Sequence, residues 1–313
     1  MKVTRRTDTK PRGHIIAPQK APPAAKAHGP LRILSIGAHP ADIFDQSGGT
    51  MAHHVARGDW VGCCVLTHGA RVHDKVITDA MFHRQRVPEK KRMGKLMNER
   101  ADVKAMEVRR ACRILGVKDI YFFGADDAVL LPTEEHVRRL ASLIRELKPE
   151  VILTHFPHES GGIWSPHAAA GHIVMLAVAH AQTVEPGDRN PPHRVAQIFF
   201  WGQGAAHLAM HVFDAARSYY SDVFIDITDV VKKKLACMDL LVSQGYGGAY
   251  ARKRIEISDG AFGRGGRVPY AEAFISYTSQ TYRYLPLSDY TRQFARDSDH
   301  EIMARYSYRI KTW

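Results

Sequence analysis

The sequence has 313 residues, of which 45% are hydrophobic and 24% are charged, and this composition excludes a wholly disordered chain. No apolar run approaches the length that crosses a bilayer, which excludes a polytopic membrane protein. The four cysteines contain no CxxC pair, so a zinc finger or a disulfide scaffold is disfavoured, and a reducing cytoplasm is the expected location.

The net charge of +12 is concentrated at the N-terminus, because residues 1–30 hold seven lysines and arginines against one aspartate. The same residues include five prolines and no apolar core of a secretory signal, so they are predicted to form an extended basic arm. A flexible tail, or one that wraps a second subunit of a homo-oligomer, is favoured over an arm that binds nucleic acid. The remaining positive charge favours a small anionic substrate.

From residue 31 onward, predicted strands alternate with predicted helices. Strands are predicted at 31–37, 60–67, 120–123 and 151–154, and helices at 42–57, 99–115, 134–147 and 167–181. This order predicts an α/β fold, a Rossmann-like, doubly wound and mostly parallel sheet with helices on both faces. Residues 68–98 are basic and irregular and are predicted to form an insertion.

The second half of the chain continues the same domain. Apolar runs at 195–201 and 222–228 and a helix at about 229–242 follow, with no internal repeat and no sharp change of composition. We therefore predict a single domain over residues 31–313. In doubly wound sheets ligands bind outside the carboxyl ends of the strands, which selects the loops at 39–49, 68–74 and 155–167.

The first of these loops contains the pattern of a metal site. In the segment AHPADIFDQSGG (residues 38–49), His39 and Asp42 follow the first strand and can bind one divalent ion from a sharp turn. His167, at the start of the helix after the fourth strand, is placed to be the third ligand. Three protein ligands leave a position open for water, as catalytic metal sites require. Zinc is the expected ion, although another divalent metal suits the same ligands.

This segment resembles the AHPDDE…GG signature of the LmbE-like (PIG-L) metal-dependent de-N-acetylases. Similar segments follow in the same order: LTHGAR (66–71), PHAAAGH (166–172), DITDVVKKKLACMDLLVSQ (226–244) and YAEAF (270–274). The resemblance implies a Rossmann-like fold with zinc at the strand ends, bound by His39, Asp42 and His167.

Three positions depart from the deacetylase pattern. Ala41 stands where these enzymes have the aspartate that acts as general base, Trp164 replaces a histidine that assists at the tetrahedral intermediate, and Pro166 replaces an aspartate. Amide hydrolysis needs both a base and an acid, each contributing about 10²–10⁴-fold. The same alanine resembles the 4-oxalomesaconate hydratase branch of the superfamily, whose members add water to an unsaturated tricarboxylate.

Replacement catalytic groups are sought in the neighbouring loops. Asp45 and His158 are the predicted catalytic residues, while Arg71, His68 and Trp164 are predicted to bind substrate. An arginine in such a loop can pair with a carboxylate through two hydrogen bonds.

Three functions follow from these observations. The favoured hypothesis is a zinc-dependent hydratase that adds water to an unsaturated, carboxylate-bearing small molecule. The alternative is a zinc-dependent hydrolase that removes an acetyl or acyl group from an amine. The third is a non-enzymatic binding protein that retains the fold.

Overall fold

The computed structural model describes residues 29–82, 87–159, 165–202 and 221–308. Seven strands form one sheet in the order β3-β2-β1-β4-β5-β7-β6. The strands are β1 (Arg32–Gly37), β2 (Trp60–Thr67), β3 (Asp119–Ala125), β4 (Val151–Thr154), β5 (Gln197–Trp201), β6 (Val223–Asp226) and β7 (Ala271–Ser276). Strands β1 to β5 pair in parallel, whereas β7 is antiparallel to both β5 and β6. The predicted mostly parallel sheet is therefore confirmed.

Ten α-helices lie in the described part of the chain. They are α1 (Asp42–Arg57), α2 (Lys75–Phe82), α3 (Lys90–Leu115), α4 (Glu134–Leu147), α5 (Pro166–Ala181), α6 (Val231–Asp239), α7 (Gly248–Ile257), α8 (Asp259–Gly266), α9 (Asp289–Phe294) and α10 (Asp299–Tyr306). A 3₁₀ turn at Val242–Gln244 follows α6. No helix in these described ranges is both long and apolar enough to cross a membrane.

Two hydrophobic clusters place helices on both faces of the sheet. One cluster contains side chains of α4 and α5 and includes Cys64, and the other contains side chains of α1, α3 and α6 and includes Cys63. The two adjacent cysteines thus point to opposite faces, as successive residues of a strand must.

The expectation that residues 68–98 are irregular is wrong. Helix α2 occupies Lys75–Phe82, and α3 begins at Lys90 rather than at residue 99. The first two turns of α3 contain no buried residue and are rich in lysine and arginine. Such residues favour a helix without producing a clear apolar period, so the pattern of apolar residues located only the packed part of α3.

Helix α1 is broken at Ser47, which has non-helical backbone angles, and its second half packs closely on the chain after β6. A Cβ atom on Gly49 would lie 2.5 Å from Cγ2 of Ile227, so only glycine fits there. The Gly49 and Thr50 amides donate to the carboxylate of Glu272 on β7, at 2.8 and 2.7 Å. These contacts fix the direction of α1, whose first residue is a candidate metal ligand.

Candidate metal centre

The candidate site lies at the carboxyl ends of β1 and β4. The strand order reverses between these two neighbours, which is where doubly wound sheets bind ligands. His39 follows β1, Asp42 begins α1, and His167 is the second residue of α5. The structure therefore brings the three predicted metal ligands together in one crevice.

A tight turn after β1 positions the first two ligands. The Asp42 amide donates to the His39 carbonyl at 3.2 Å, and the His39 amide donates to Oδ2 of Asp42 at 2.6 Å. Because His39 is 2% exposed and the Asp42 side chain 12%, both groups are shielded from solvent. The spacing of three residues thus aims a histidine and a carboxylate at the same point.

The three donor groups lie close to the separations of tetrahedral zinc ligands, with the two histidines nearest to different oxygens of Asp42. Nδ1 of His39 lies 3.1 Å from Nε2 of His167 and 3.4 Å from Oδ2 of Asp42, and Nε2 of His167 lies 3.6 Å from Oδ1 of Asp42. Tetrahedral bonds of about 2.0–2.2 Å place ligand atoms about 3.3–3.6 Å apart. The donor set therefore fits a divalent metal with one position left open.

Glu159 orients the ring of His167. Its Oε1 lies 2.9 Å from Nδ1 of His167, and its Oε2 accepts a hydrogen bond from the Ser165 hydroxyl at 2.7 Å. Ser165 also accepts from the Ala168 amide and so caps the start of α5. A carboxylate on Nδ1 holds the tautomer that leaves Nε2 free to bind a metal.

His155, the first residue after β4, packs behind the ligand set. Its ring stacks on His167 with centroids 4.4 Å apart, and its Nε2 lies 3.0 Å from Oδ2 of Asp42. His155, Glu159 and His167 form a second group of clustered donors. Because Glu159 occupies the opposite ring nitrogen of His167, the set containing His39 and Asp42 is the better site.

Burial and opposing charges act against each other in this cluster. Burial alone would raise the pKa of Asp42, but the three surrounding histidines hold it well below its usual value. Burial would lower the pKa of His167, yet the carboxylates of Asp42 and Glu159 raise it to about 10. Burial, aided by the charge on His167, lowers the pKa of His155 to about 4.

His73 is a site residue that the sequence analysis did not select. Its ring packs edge-on against His39 with centroids 4.4 Å apart, and it is exposed. Its carbonyl accepts from Nζ of buried Lys104 at 3.1 Å, and Lys104 in turn lies 3.5 Å from the carboxylate of Asp74. The sequence could have indicated His73 by its position in the loop after β2, because residues 68–74 are one of the three loops at the carboxyl ends of the strands.

His68 and Arg71 belong to the same loop, and both contact acidic residues. Nδ1 of His68 lies 3.1 Å from Oδ1 of Asp127, which also accepts from the Arg71 amide, and the Arg71 guanidinium pairs with Asp126 at the surface. The His68, Asp126 and Asp127 side chains form a third donor cluster, but these contacts already satisfy its carboxylates. Binding of substrate by His68 and Arg71 stays a prediction.

The structure pairs buried Asp45 with partly exposed Arg254. Its Oδ2 lies 2.8 Å from Nη2 of Arg254 and accepts from the hydroxyl of Tyr246 at 3.2 Å. His158 is partly buried, one residue before Glu159, whereas Trp164 lies outside the described residues. A catalytic role for Asp45 and His158 stays a prediction, as does substrate binding by Trp164.

Comparison with known proteins decides the family. The family model described as PIG-L: GlcNAc-PI de-N-acetylase matches residues 34–178, which run from β1 into α5. Residues 34–178 are a PIG-L family domain. All three candidate ligands lie within this PIG-L domain, which confirms the superfamily that the motifs indicated.

A curated relative agrees with this assignment. The 1D-myo-inositol 2-acetamido-2-deoxy-alpha-D-glucopyranoside deacetylase of Thermobifida fusca (strain YX) is 28% identical over 186 residues, which are 54% of this chain and 60% of the relative. The chain thus matches about three fifths of the length of that protein.

The solved structures show the fold. GalB, the 4-carboxy-2-hydroxymuconate hydratase from Pseudomonas putida KT2440, has a TM-score of 0.63 at 21% identity and covers 82% of this chain and 100% of its own. The N,N'-diacetylchitobiose deacetylase from Pyrococcus horikoshii has a TM-score of 0.58 at 20% identity and covers 78% and 82%. Hydratase and deacetylase therefore share the architecture of this PIG-L domain.

Ala41 leaves the PIG-L domain without a carboxylate at the position before Asp42. The alanine is 2% exposed and packs in the core cluster of α1, α3 and α6. Its amide donates to Oε1 of Gln244 at 3.2 Å. The position before Asp42 thus carries a buried methyl group, and the neutral side-chain amide of Gln244 lies beside its backbone.

Proposed function

We propose that this PIG-L domain is a metal-dependent hydrolase that removes an acyl group from the nitrogen of a small substrate, with zinc as its ion. The observation that carries the proposal is the convergence of His39, Asp42 and His167 at close to tetrahedral ligand spacing, in a domain that is similar to a curated deacetylase. The sequence analysis favoured hydration, and the relatives support its alternative better.

Each residue of the site has a distinct role in the proposed reaction. A metal ion would supply a Lewis acid and lower the pKa of water at its open position. His39 and Asp42 hold the ion from the turn after β1, and Glu159 keeps Nε2 of His167 directed at it. His73 packs against the ring of His39 and is itself exposed, so a substrate that reaches the open position is expected to contact the ring of His73.

Hydration is the second candidate, and Ala41 favours it. Addition of water to an activated double bond releases no amine, so it makes less demand on an acid for the leaving group than amide hydrolysis does. The alanine removes a carboxylate that the deacetylase pattern contains, and GalB, a hydratase, shares the fold. The anionic, carboxylate-bearing substrate expected from the sequence belongs to this second candidate.

A cytoplasmic location remains part of the proposal. All four cysteines are free and buried, which suits a reducing compartment. Nucleic-acid binding and a non-enzymatic role are the disfavoured hypotheses, because three metal ligands with one position left open are typical of a catalytic site.

One pair of assays separates the two reactions. The full chain, loaded with zinc, is incubated with small N-acetylated amino sugars, and release of amine is measured. In parallel, loss of absorbance is followed with a conjugated oxo-dienoate. Amine release that disappears in Asp42→Ala supports the hydrolase, whereas absorbance loss without amine release supports the hydratase. If the zinc-loaded protein shows neither activity, both candidate functions are contradicted.

A further inference from the structure

The chain from the end of β7 into the first turn of α9 is exposed along its whole length and carries large apolar side chains. We call residues 277–290 the tyrosine strap; every residue in it is exposed. Its large apolar residues, with their exposed fractions, are Tyr277 (49%), Tyr282 (54%), Tyr284 (77%), Leu285 (96%), Leu287 (53%) and Tyr290 (50%). Almost fully exposed Leu285 is next to exposed Tyr284 in the sequence, so exposed apolar side chains are concentrated in one segment of the chain rather than scattered.

Within the described ranges, the strap is hydrogen-bonded to the rest of the chain near its two ends and not in its middle. The Tyr277 amide donates to the Ile198 carbonyl at 2.9 Å, and the Tyr290 hydroxyl donates to Oδ2 of Asp226 at 3.0 Å. Between them, residues 279–287 make no hydrogen bond to any other described segment of the chain. Their backbone amides and carbonyls are therefore available to a partner.

We propose that the tyrosine strap is the contact surface for a second copy of this chain. With about 200 Å² for a fully exposed tyrosine and somewhat less for leucine, its six large side chains expose roughly 700 Å². A specific interface buries about 800 Å² on each partner, so two straps meeting around a twofold axis supply nearly the required area. Tyrosine is also among the residues most enriched at such interfaces.

The charge of the strap favours this partner over nucleic acid. The strap holds one arginine, Arg283, and one acidic residue, Asp289, in a chain whose net charge is +12. Two copies of such a chain repel one another, and a neutral surface is where they meet at least electrostatic cost. A surface that binds nucleic acid needs clustered cations, which the strap lacks.

The test compares the full chain with Tyr284→Ser/Leu285→Ser by sedimentation velocity from low to high micromolar concentration. The wild type is expected to dimerise, and the double variant to dimerise at least about 30-fold more weakly, as loss of central interface residues does. Far-UV circular dichroism is expected to stay unchanged, because both side chains are exposed. The matched control is Val184→Ser, which removes an apolar side chain that is 79% exposed elsewhere on the surface.

Hydrogen exchange supplies a second measurement. The backbone amides of residues 279–287, apart from Pro286, which has no amide hydrogen, are expected to exchange slowly in concentrated protein and rapidly on dilution. The proposal is overturned if the wild type is monomeric at every concentration. It is also overturned if the double variant dimerises as strongly as the wild type. Protection that does not change on dilution also overturns it, because the strap would then be covered by another segment of its own chain.

Discussion

Removing the negative charge of Glu159 should weaken metal binding without unfolding the protein. Glu159 accepts from Nδ1 of His167 at 2.9 Å and from the Ser165 hydroxyl at 2.7 Å. In Glu159→Gln the amide oxygen can keep the hydrogen bond to His167, and the amide nitrogen can donate to Ser165. The packing is thus preserved, and only the charge that makes His167 a stronger ligand is lost.

The size of the effect follows from this single contact. Loss of a carboxylate partner behind a metal-binding histidine costs about 10–100-fold in metal affinity, or about 1.4–2.7 kcal/mol. The assay is competition for zinc between the apo-protein and a chelating dye, with circular dichroism as a check of folding.

A second histidine–carboxylate pair, at the end of α5, provides a matched control. At the end of α5, Nε2 of His180 lies 2.6 Å from Oε2 of Glu185, far from the candidate ligands in sequence. Glu185→Gln removes a carboxylate of the same kind and is expected to leave zinc affinity unchanged. Equal zinc affinities for Glu159→Gln and the wild type would refute the role given to Glu159.

Three further predictions concern the framework and the open side of the site. Lys234→Met leaves the buried carboxylates of Asp259 and Glu272 without their cation and should lower the free energy of unfolding, measured by urea titration, by about 3–5 kcal/mol. The control, Lys233→Met at an exposed position, should change it little. Gly49→Ala would place Cβ 2.5 Å from an isoleucine side chain and should lower the free energy of unfolding by about 1–3 kcal/mol. Its control, Gly94→Ala, has open space around Cβ and should raise the free energy of unfolding by about 0.5–1 kcal/mol. Thermal unfolding that shifts the two melting temperatures in the same direction would contradict this reasoning. His73→Ala should lower kcat/KM about tenfold through loss of a substrate contact with zinc content unchanged, and a variant as active as the wild type would exclude that contact.

The sequence predicted the sheet and the clustering of the three candidate ligands because both depend largely on local patterns. Alternating apolar runs and helical periods located β1 to β4, and the turn that joins His39 to Asp42 spans only three residues. His167 could be added because the carboxyl ends of parallel strands share one edge of the sheet.

The supporting contacts could not be read from the sequence because their partners are distant along the chain. Asp45 is paired with Arg254 across 209 residues, and Glu272 binds the Gly49 amide across 223 residues. No local spacing encodes such contacts. The orienting role of Glu159 also depends on the ring position of His167, which only the packed structure defines.

Metal content tests the central claim most directly. The full chain, purified without chelator, supplied with zinc and freed of unbound ion, should contain about one ion per chain by inductively coupled plasma mass spectrometry. Asp42→Ala should lose the ion, and Asp126→Ala, which alters the neighbouring donor cluster, should keep it. A wild type that binds no zinc, or an Asp42→Ala variant that binds it as tightly as the wild type, would contradict the account.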